Sequence, residues 1–217
     1  MFKMEEYLQV SEVIDWKHPI ILELAQKIRS DCQTTDAIAS LAFGIAKACF
    51  EWVRDEIRHS CDYQMNPLTC RASDVLHYKT GYCYAKSHLL AALLRANQIP
   101  AGFCYQRLSI DDKGAPYSLH GFNGIYLPEV AWYRVDARGN KEGVNAQFTP
   151  PQEQLAYKIQ FPEEADFPAI LPQPLPVVVE ALQARSTWDE MLRNLPDVSL
   201  ERVMNSGLCT RVDINQN

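Results

Sequence analysis

The chain has 217 residues, 47% hydrophobic and 22% charged, the make-up of one ordinary globular domain with a sizeable core and at most an appendage. Its net charge of −6 is scattered rather than gathered into a basic stripe, which argues against a nucleic-acid partner. No apolar run approaches the ~18 residues that span a bilayer, and Glu5 and Glu6 stand where a signal peptide would carry its apolar stretch, so no membrane partner is expected. Seven cysteines (32, 49, 61, 70, 83, 104 and 209) are an odd number without CxxC or framework spacing, and fit reduced thiols in the cytoplasm. Nothing in the spacing of Cys61, Cys70, His59 and His77 asks for a zinc ion, and no metal is expected.

Residues 7–16 alternate in part and are expected to begin as a strand. Pro19 suits the first turn of a helix through Arg29, with Ile20, Leu24 and Ile28 as its apolar stripe. Residues 1–35 are thus an N-terminal strand and helix extension. A second helix is expected from near Asp36, capped by Thr34 or Thr35, to about Ile57. Ile38, Leu41, Ile45, Cys49, Trp52 and Val53 recur along it at helical spacing, which makes Cys49 core. Residues 58–71 read as loop, with Asn66-Pro67 as a turn, and Ser73 as the cap of a short helix from Asp74 to Tyr78.

Thr80 and Gly81 lead into Cys83 and a run, Tyr84 to Ala96, rich in Leu and Ala and apolar nearly all round. Such a helix is buried centrally rather than laid on a surface. Gly81 allows a sharp turn before it, and Asn97 and Pro100 supply a left-handed end and a stop. Cys83 therefore falls in the first turn, where free N–H groups and the helix dipole favour a thiolate. A small apolar residue packing at a helix start would look the same. A nucleophile needs a base.

Three strands follow, Ala101–Ile110, Leu119–Leu127 and Ala131–Asp136, so helices precede an antiparallel meander in an α+β arrangement with its core at 36–150. With Pro128 at the centre of the second hairpin, His120 lies directly opposite Asp136, on one face and with Cβ atoms about 4.5–5.5 Å apart. The carboxylate can then orient the imidazole toward a thiol. His88, five residues after Cys83, points about 140° away around the helix. His18, His59 and His77 fare worse as bases on geometry. Beyond residue 150, five prolines make 161–176 an extended arm, followed by amphipathic pieces at 177–185 and 188–195 that pack on the core. Thr187 and Glu190 have capping-box spacing, and the chain is expected to fray from about Ser206.

Several segments resemble, in the same order, the cysteine, histidine and aspartate segments of the transglutaminase-like superfamily. They are Gly81-Tyr82-Cys83, Leu93-Leu94-Arg95-Ala96, Ile99-Pro100-Ala101-Gly102 with Tyr105, then Leu119-His120-Gly121 and Trp132-Tyr133-Arg134-Val135-Asp136. Ala72-Ser73-Asp74-Val75-Leu76 resembles the lead-in, and the likeness covers roughly residues 36–140. It implies a papain-like core, nucleophilic Cys83, His120 as base and acid, and Asp136 orienting it, with no cofactor. The family includes transglutaminases, proteases and amidases that act through a thioester. Many members carry tryptophan two residues after the histidine; here it is Phe122, which weakens any inference about substrate stacking.

The expected activity is hydrolysis of amide or peptide bonds in a protein, peptide or other amide substrate. An amine in place of water would make the enzyme a glutamine acyltransferase, and arylamine acetyl transfer uses the same triad. A papain-like module retained only for protein interaction is the non-enzymatic alternative. The Cys83 N–H is the natural oxyanion donor, with Tyr63 or Gln64 as a second, against the plainer reading of a turn tyrosine and a solvated amide. Tyr82 and Phe122 flank the pair as substrate-contact candidates. Arg138 is either a grip on a substrate carboxylate or, on the plainer reading, a surface salt bridge.

Overall fold

The computed structural model describes residues 4–33 and 41–199. The expected Thr34 or Thr35 cap, the helix start near Asp36, Cys209 and the fraying from Ser206 lie outside the described residues. A 3-10 turn, Met4–Leu8, replaces the expected N-terminal strand. There the Tyr7 hydroxyl donates to the Ile170 carbonyl, and Trp16 Nε1 donates back to the Leu8 carbonyl. Tyr7 thus binds across the molecule and Trp16 folds the segment back on itself, instead of the chain running along a sheet edge.

Helix α1 spans Pro19–Gln33 and α2 spans Leu41–Glu56. The loop expected after α2 is partly ordered into a two-residue strand β1, Arg58–His59, and one helical turn α3, Ser60–Tyr63. Helix α4 runs Ala72–Tyr78. Ser73 is not its cap: the carboxylate of Asp15, from the N-terminal segment, accepts from both the Ser73 N–H and its hydroxyl. A tertiary partner has taken over a role that local spacing assigned to the serine.

Strand β2, Thr80–Gly81, pairs in parallel with β1. Gly81 is therefore a strand residue, not the pivot of a sharp turn. A Cβ on it would meet Ala85 Cβ at 3.1 Å and Thr69 Oγ1 at 3.3 Å, so close packing is what its bare Cα provides. Helix α5, Cys83–Ala96, is buried over all but its last residue. Asn97 ends it at φ −90°, and the left-handed position falls one residue later, on Gln98 at φ 61°.

A sheet in the order β5-β4-β3-β6 packs against α5. It comprises β3 (Ala101–Ser109), β4 (Tyr117–Leu127), β5 (Ala131–Val135) and β6 (Ala165–Asp166). The proline arm supplies β6 and runs along the outer edge of β3, with Phe103 and Leu171 exchanging backbone hydrogen bonds. Helices α6 (Pro176–Gln183) and α7 (Trp188–Leu192) close the chain, α7 with the expected Thr187–Glu190 capping box. One apolar core runs from Val13 through α1, α2, α4, α5 and the sheet to Met191 of α7.

Two buried basic side chains tie this core together. Arg95 donates to the carbonyls of Gln9, Ala101 and Pro172, joining the N-terminal segment, β3 and the arm. Lys86, one turn after Cys83, donates to the carbonyls of Arg54 and Ile57 at the end of α2. Those carbonyls belong to the set a helix end leaves unpaired, so the lysine satisfies them from inside α5.

Candidate active site

The position of Cys83 is set before the helix begins. Pairing of Arg58 with Thr80 and of His59 with Gly81 fixes the backbone, and the Thr69 hydroxyl holds the Thr80 carbonyl at 2.9 Å. Tyr82 then caps the helix in an extended conformation, φ −64° and ψ 166°. Cys83 takes the first helical position, 8% exposed, where N–H groups lack partners from the preceding turn.

The histidine comes from β4. At Gly121 a Cβ would lie 2.9 Å from the Tyr84 ring, so the bare Cα lets β4 lie directly on the start of α5. The adjacent His120 is brought into side-chain hydrogen-bonding reach of Cys83. On this edge β5 stops at Val135, opposite Asn123. The Leu119 N–H instead donates to the Pro196 carbonyl, so the C-terminal stretch covers the strand edge beside His120.

The hairpin register differs from expectation by two. Its centre is Glu129 rather than Pro128, with Leu127 paired to Ala131 and Asn123 to Val135. Ala131 closes the turn in the left-handed region, φ 59°. Extending that register sets Asp136 across from Phe122, and His120 lies diagonal to it. A shift of two preserves the face. His120 Nε2 reaches Asp136 Oδ2 at 2.7 Å.

Asp136 is fully buried and accepts three hydrogen bonds: from His120, from the Arg138 N–H at 3.1 Å and from the Ala156 N–H at 3.1 Å. Burial pushes its carboxyl up, but the imidazolium and these two N–H groups outweigh it and hold it below the usual range. For His120, burial alone lowers the value; the Asp136 carboxylate and the Cys83 sulfur more than reverse that, to about 10. The imidazole is thus held as a cation beside the thiol at neutral pH. Its ring is stacked on Phe122, 5.9 Å between centroids, and meets Tyr157 edge-on at 4.9 Å.

The remaining candidates have other occupations. Arg138 is committed to Asp62 through both guanidinium ends, and Lys141 Nζ joins the same carboxylate at 2.8 Å. The pair is mostly buried, 7% and 18% exposed at the two side chains, not the surface bridge expected. The Tyr82 hydroxyl donates to the Trp188 carbonyl at 2.6 Å, fastening the lead-in to α7. Tyr63 is exposed beneath the Arg58 guanidinium, and Gln64 ends α3 in the left-handed region, its N–H donating to Cys61 O. His88 is buried and points to the Cys70 carbonyl, as its angle around the helix requires. His59 lies edge-on to Tyr82, its buried Nδ1 without a hydrogen bond and 3.8 Å from the Asp62 carboxylate, and burial with the nearby Arg138 keeps it neutral.

Three residues of this neighbourhood escape sequence reasoning. Lys86 carried a signal, the one charged residue in the first three turns of an all-buried helix. Asp62 and Tyr157 carried none, since only the tertiary fold brings them in. A depression of about 380 Å³ lined by Trp52, Leu76, His77 and Lys79 opens between α1, α2 and α4, and shares no residue with this cluster.

The profile of the transglutaminase-like superfamily matches residues 23–137, more than half of the chain. The chain belongs to the transglutaminase-like superfamily. Membership supports a general thiol-enzyme role, and the matched stretch contains Cys83, His120 and Asp136. Among solved structures, a candidate cysteine protease from Cytophaga hutchinsonii is 21% identical with a TM-score of 0.48, over 64% of this chain and 43% of that one. The periplasmic domain of TgpA from Pseudomonas aeruginosa is 21% identical with a TM-score of 0.42, over 62% and 46%. The chain spans less than half the length of either structure. None of the curated proteins matches it. No helix among the described residues is long and apolar enough to cross a membrane.

Proposed function

We propose that this protein hydrolyses amide or peptide bonds through a thioester on Cys83. The observation that carries the reading is the Asp136–His120 hydrogen bond, with His120 facing the thiol at the head of α5. In this reading the Cys83 thiolate attacks the carbonyl carbon, and the Cys83 N–H donates to the developing oxyanion. The His120 imidazolium gives its proton to the leaving amine. It then takes one from the incoming water, which releases the acid and restores the thiolate. Asp136 keeps the imidazole in the required plane and tautomer.

The substrate would be a protein, peptide or other amide. Among the described residues Cys49, Cys61, Cys70, Cys83 and Cys104 are free thiols, in keeping with a cytoplasmic setting. The test is mass spectrometry of a peptide panel rich in glutamine and amides, incubated with and without a primary amine. Cleaved or deamidated products that vanish in Cys83→Ala are expected. Amine incorporation in their place would reassign the enzyme to acyl transfer.

A further inference from the structure

Tyr157 lies beyond the stretch matched by the family profile, on the irregular segment that follows β5. Its ring stands perpendicular to that of His120, at 88° and 4.9 Å, and the Arg138 guanidinium sits 5.9 Å from its centroid. The residue before it, Ala156, donates its N–H to Asp136 Oδ2, the same oxygen that holds His120 Nε2. Tyr7, Tyr82, Tyr84 and Tyr133 are each fixed through the hydroxyl on a backbone carbonyl. Tyr157 meets its neighbours through the ring.

We infer that Tyr157 is a positioning residue of the site: hung from Asp136 through Ala156, its ring fixes the His120 plane and keeps water off the His120–Asp136 bond. The inference rests on the triad reading above. Phe122 stacks on one side of the imidazole at an interplanar angle of 18°, and Tyr157 closes another side, so the ring cannot rotate without displacing an aromatic. The Asp136 carboxylate has no exposure of its own, and its Oδ2 also accepts from the Ala156 N–H. Water would approach the bond where Tyr157 now stands. The charged and titratable groups around His120 are Cys83 from α5, Asp136 after β5 and His59 of β1 in the separate two-stranded sheet, with Arg138 beside Tyr157.

The test is the rate of iodoacetamide alkylation at Cys83 against pH, read by peptide mass, in the wild type, Tyr157→Phe and Tyr157→Ala. In the wild type the thiolate–imidazolium pair should persist until His120 loses its proton near about 10, giving a second, upper inflection there. In Tyr157→Ala, water screens the Asp136 carboxylate and the upper inflection should fall by about one pH unit or more, while Tyr157→Phe keeps it in place. Circular dichroism confirms that each variant is folded, and Tyr157→Ser, better suited to a half-exposed position, replaces the alanine variant if that one is not. An unmoved inflection in a folded alanine or serine variant overturns the inference and leaves the triad standing. A phenylalanine variant that shifts as far as alanine also overturns it, because the hydroxyl would then be the acting group. A single ordinary thiol titration in the wild type overturns the triad itself, and the inference with it.

Discussion

Asp136 has no exposed atom and still titrates below the ordinary carboxylate range, because the His120 imidazolium and two backbone N–H groups donate to its oxygens. Its charge is what keeps His120 protonated, so Asp136→Asn should act twice. Catalysis should drop on the order of 10³-fold, because the amide cannot stabilise the imidazolium or enforce its tautomer. The alkaline limb of activity should also move to lower pH. The sign follows from His120: its value is raised to about 10, so the cationic form required by the pair is present below that pH and lost above it. Without the carboxylate the loss comes earlier. A kcat/KM profile of the two proteins checks both, and an unmoved limb would mean that another group sets it.

At the scale of elements, the site depends on how closely β4 lies on α5. Gly121→Ala would put a methyl 2.9 Å from a Tyr84 ring whose hydroxyl is already fixed on the Leu119 carbonyl. That ring cannot step aside, so the helix start must move, at a cost of about 1–3 kcal/mol. Cys83 moves with it. The expected outcome is a lower urea midpoint together with slower alkylation of Cys83; a stable variant with unchanged alkylation would show that the contact is slack. The sequence made α5, its burial and the α+β order readable because hydrophobic periodicity records them directly. It also placed His120 and Asp136 on one face, since a hairpin centre misjudged by one residue shifts the register by two and spares the parity. What it could not show is set by partners distant in the chain. Asp15 caps α4, Asp62 takes Arg138, the proline arm becomes a strand on β3, and Tyr157 reaches the imidazole.

Over the whole molecule, four buried groups shape the pH dependence of stability between about pH 4 and about 8. His88 is pushed down to about 4 by burial, and His59 is lowered in the same way with help from Arg138. As pH falls below about 6.5 the unfolded chain takes up protons that these native rings refuse, so stability should climb from about pH 4 to about 6.5. Higher up, two groups oppose each other. Lys86 is brought down to about 7 by burial, with Arg138 adding to it, so its contribution rises with pH above that value. His120, raised to about 10, stabilises fully below the unfolded imidazole value and loses that contribution as pH rises through its own. Between about pH 7 and about 8, below the range in which the unfolded thiols of Cys49, Cys70 and Cys104 would ionise while burial keeps the native ones protonated, the two slopes cancel and the wild type should be flat. Lys86→Met removes one of them, and its unfolding midpoint should then fall across that window. A wild type that already declines there would place Lys86 in its charged form.

The thioester on Cys83 is the step on which the enzymatic reading stands. The direct measurement is the intact mass of the protein after acid quench from an activated ester such as p-nitrophenyl acetate, with the adduct mapped by peptide mass. One acyl group on Cys83 is expected, formed rapidly in the wild type, slowly in His120→Ala and not at all in Cys83→Ala. Acylation spread over Cys61 and the other thiols at one slow rate, unchanged by His120→Ala, would contradict a nucleophile at the head of α5.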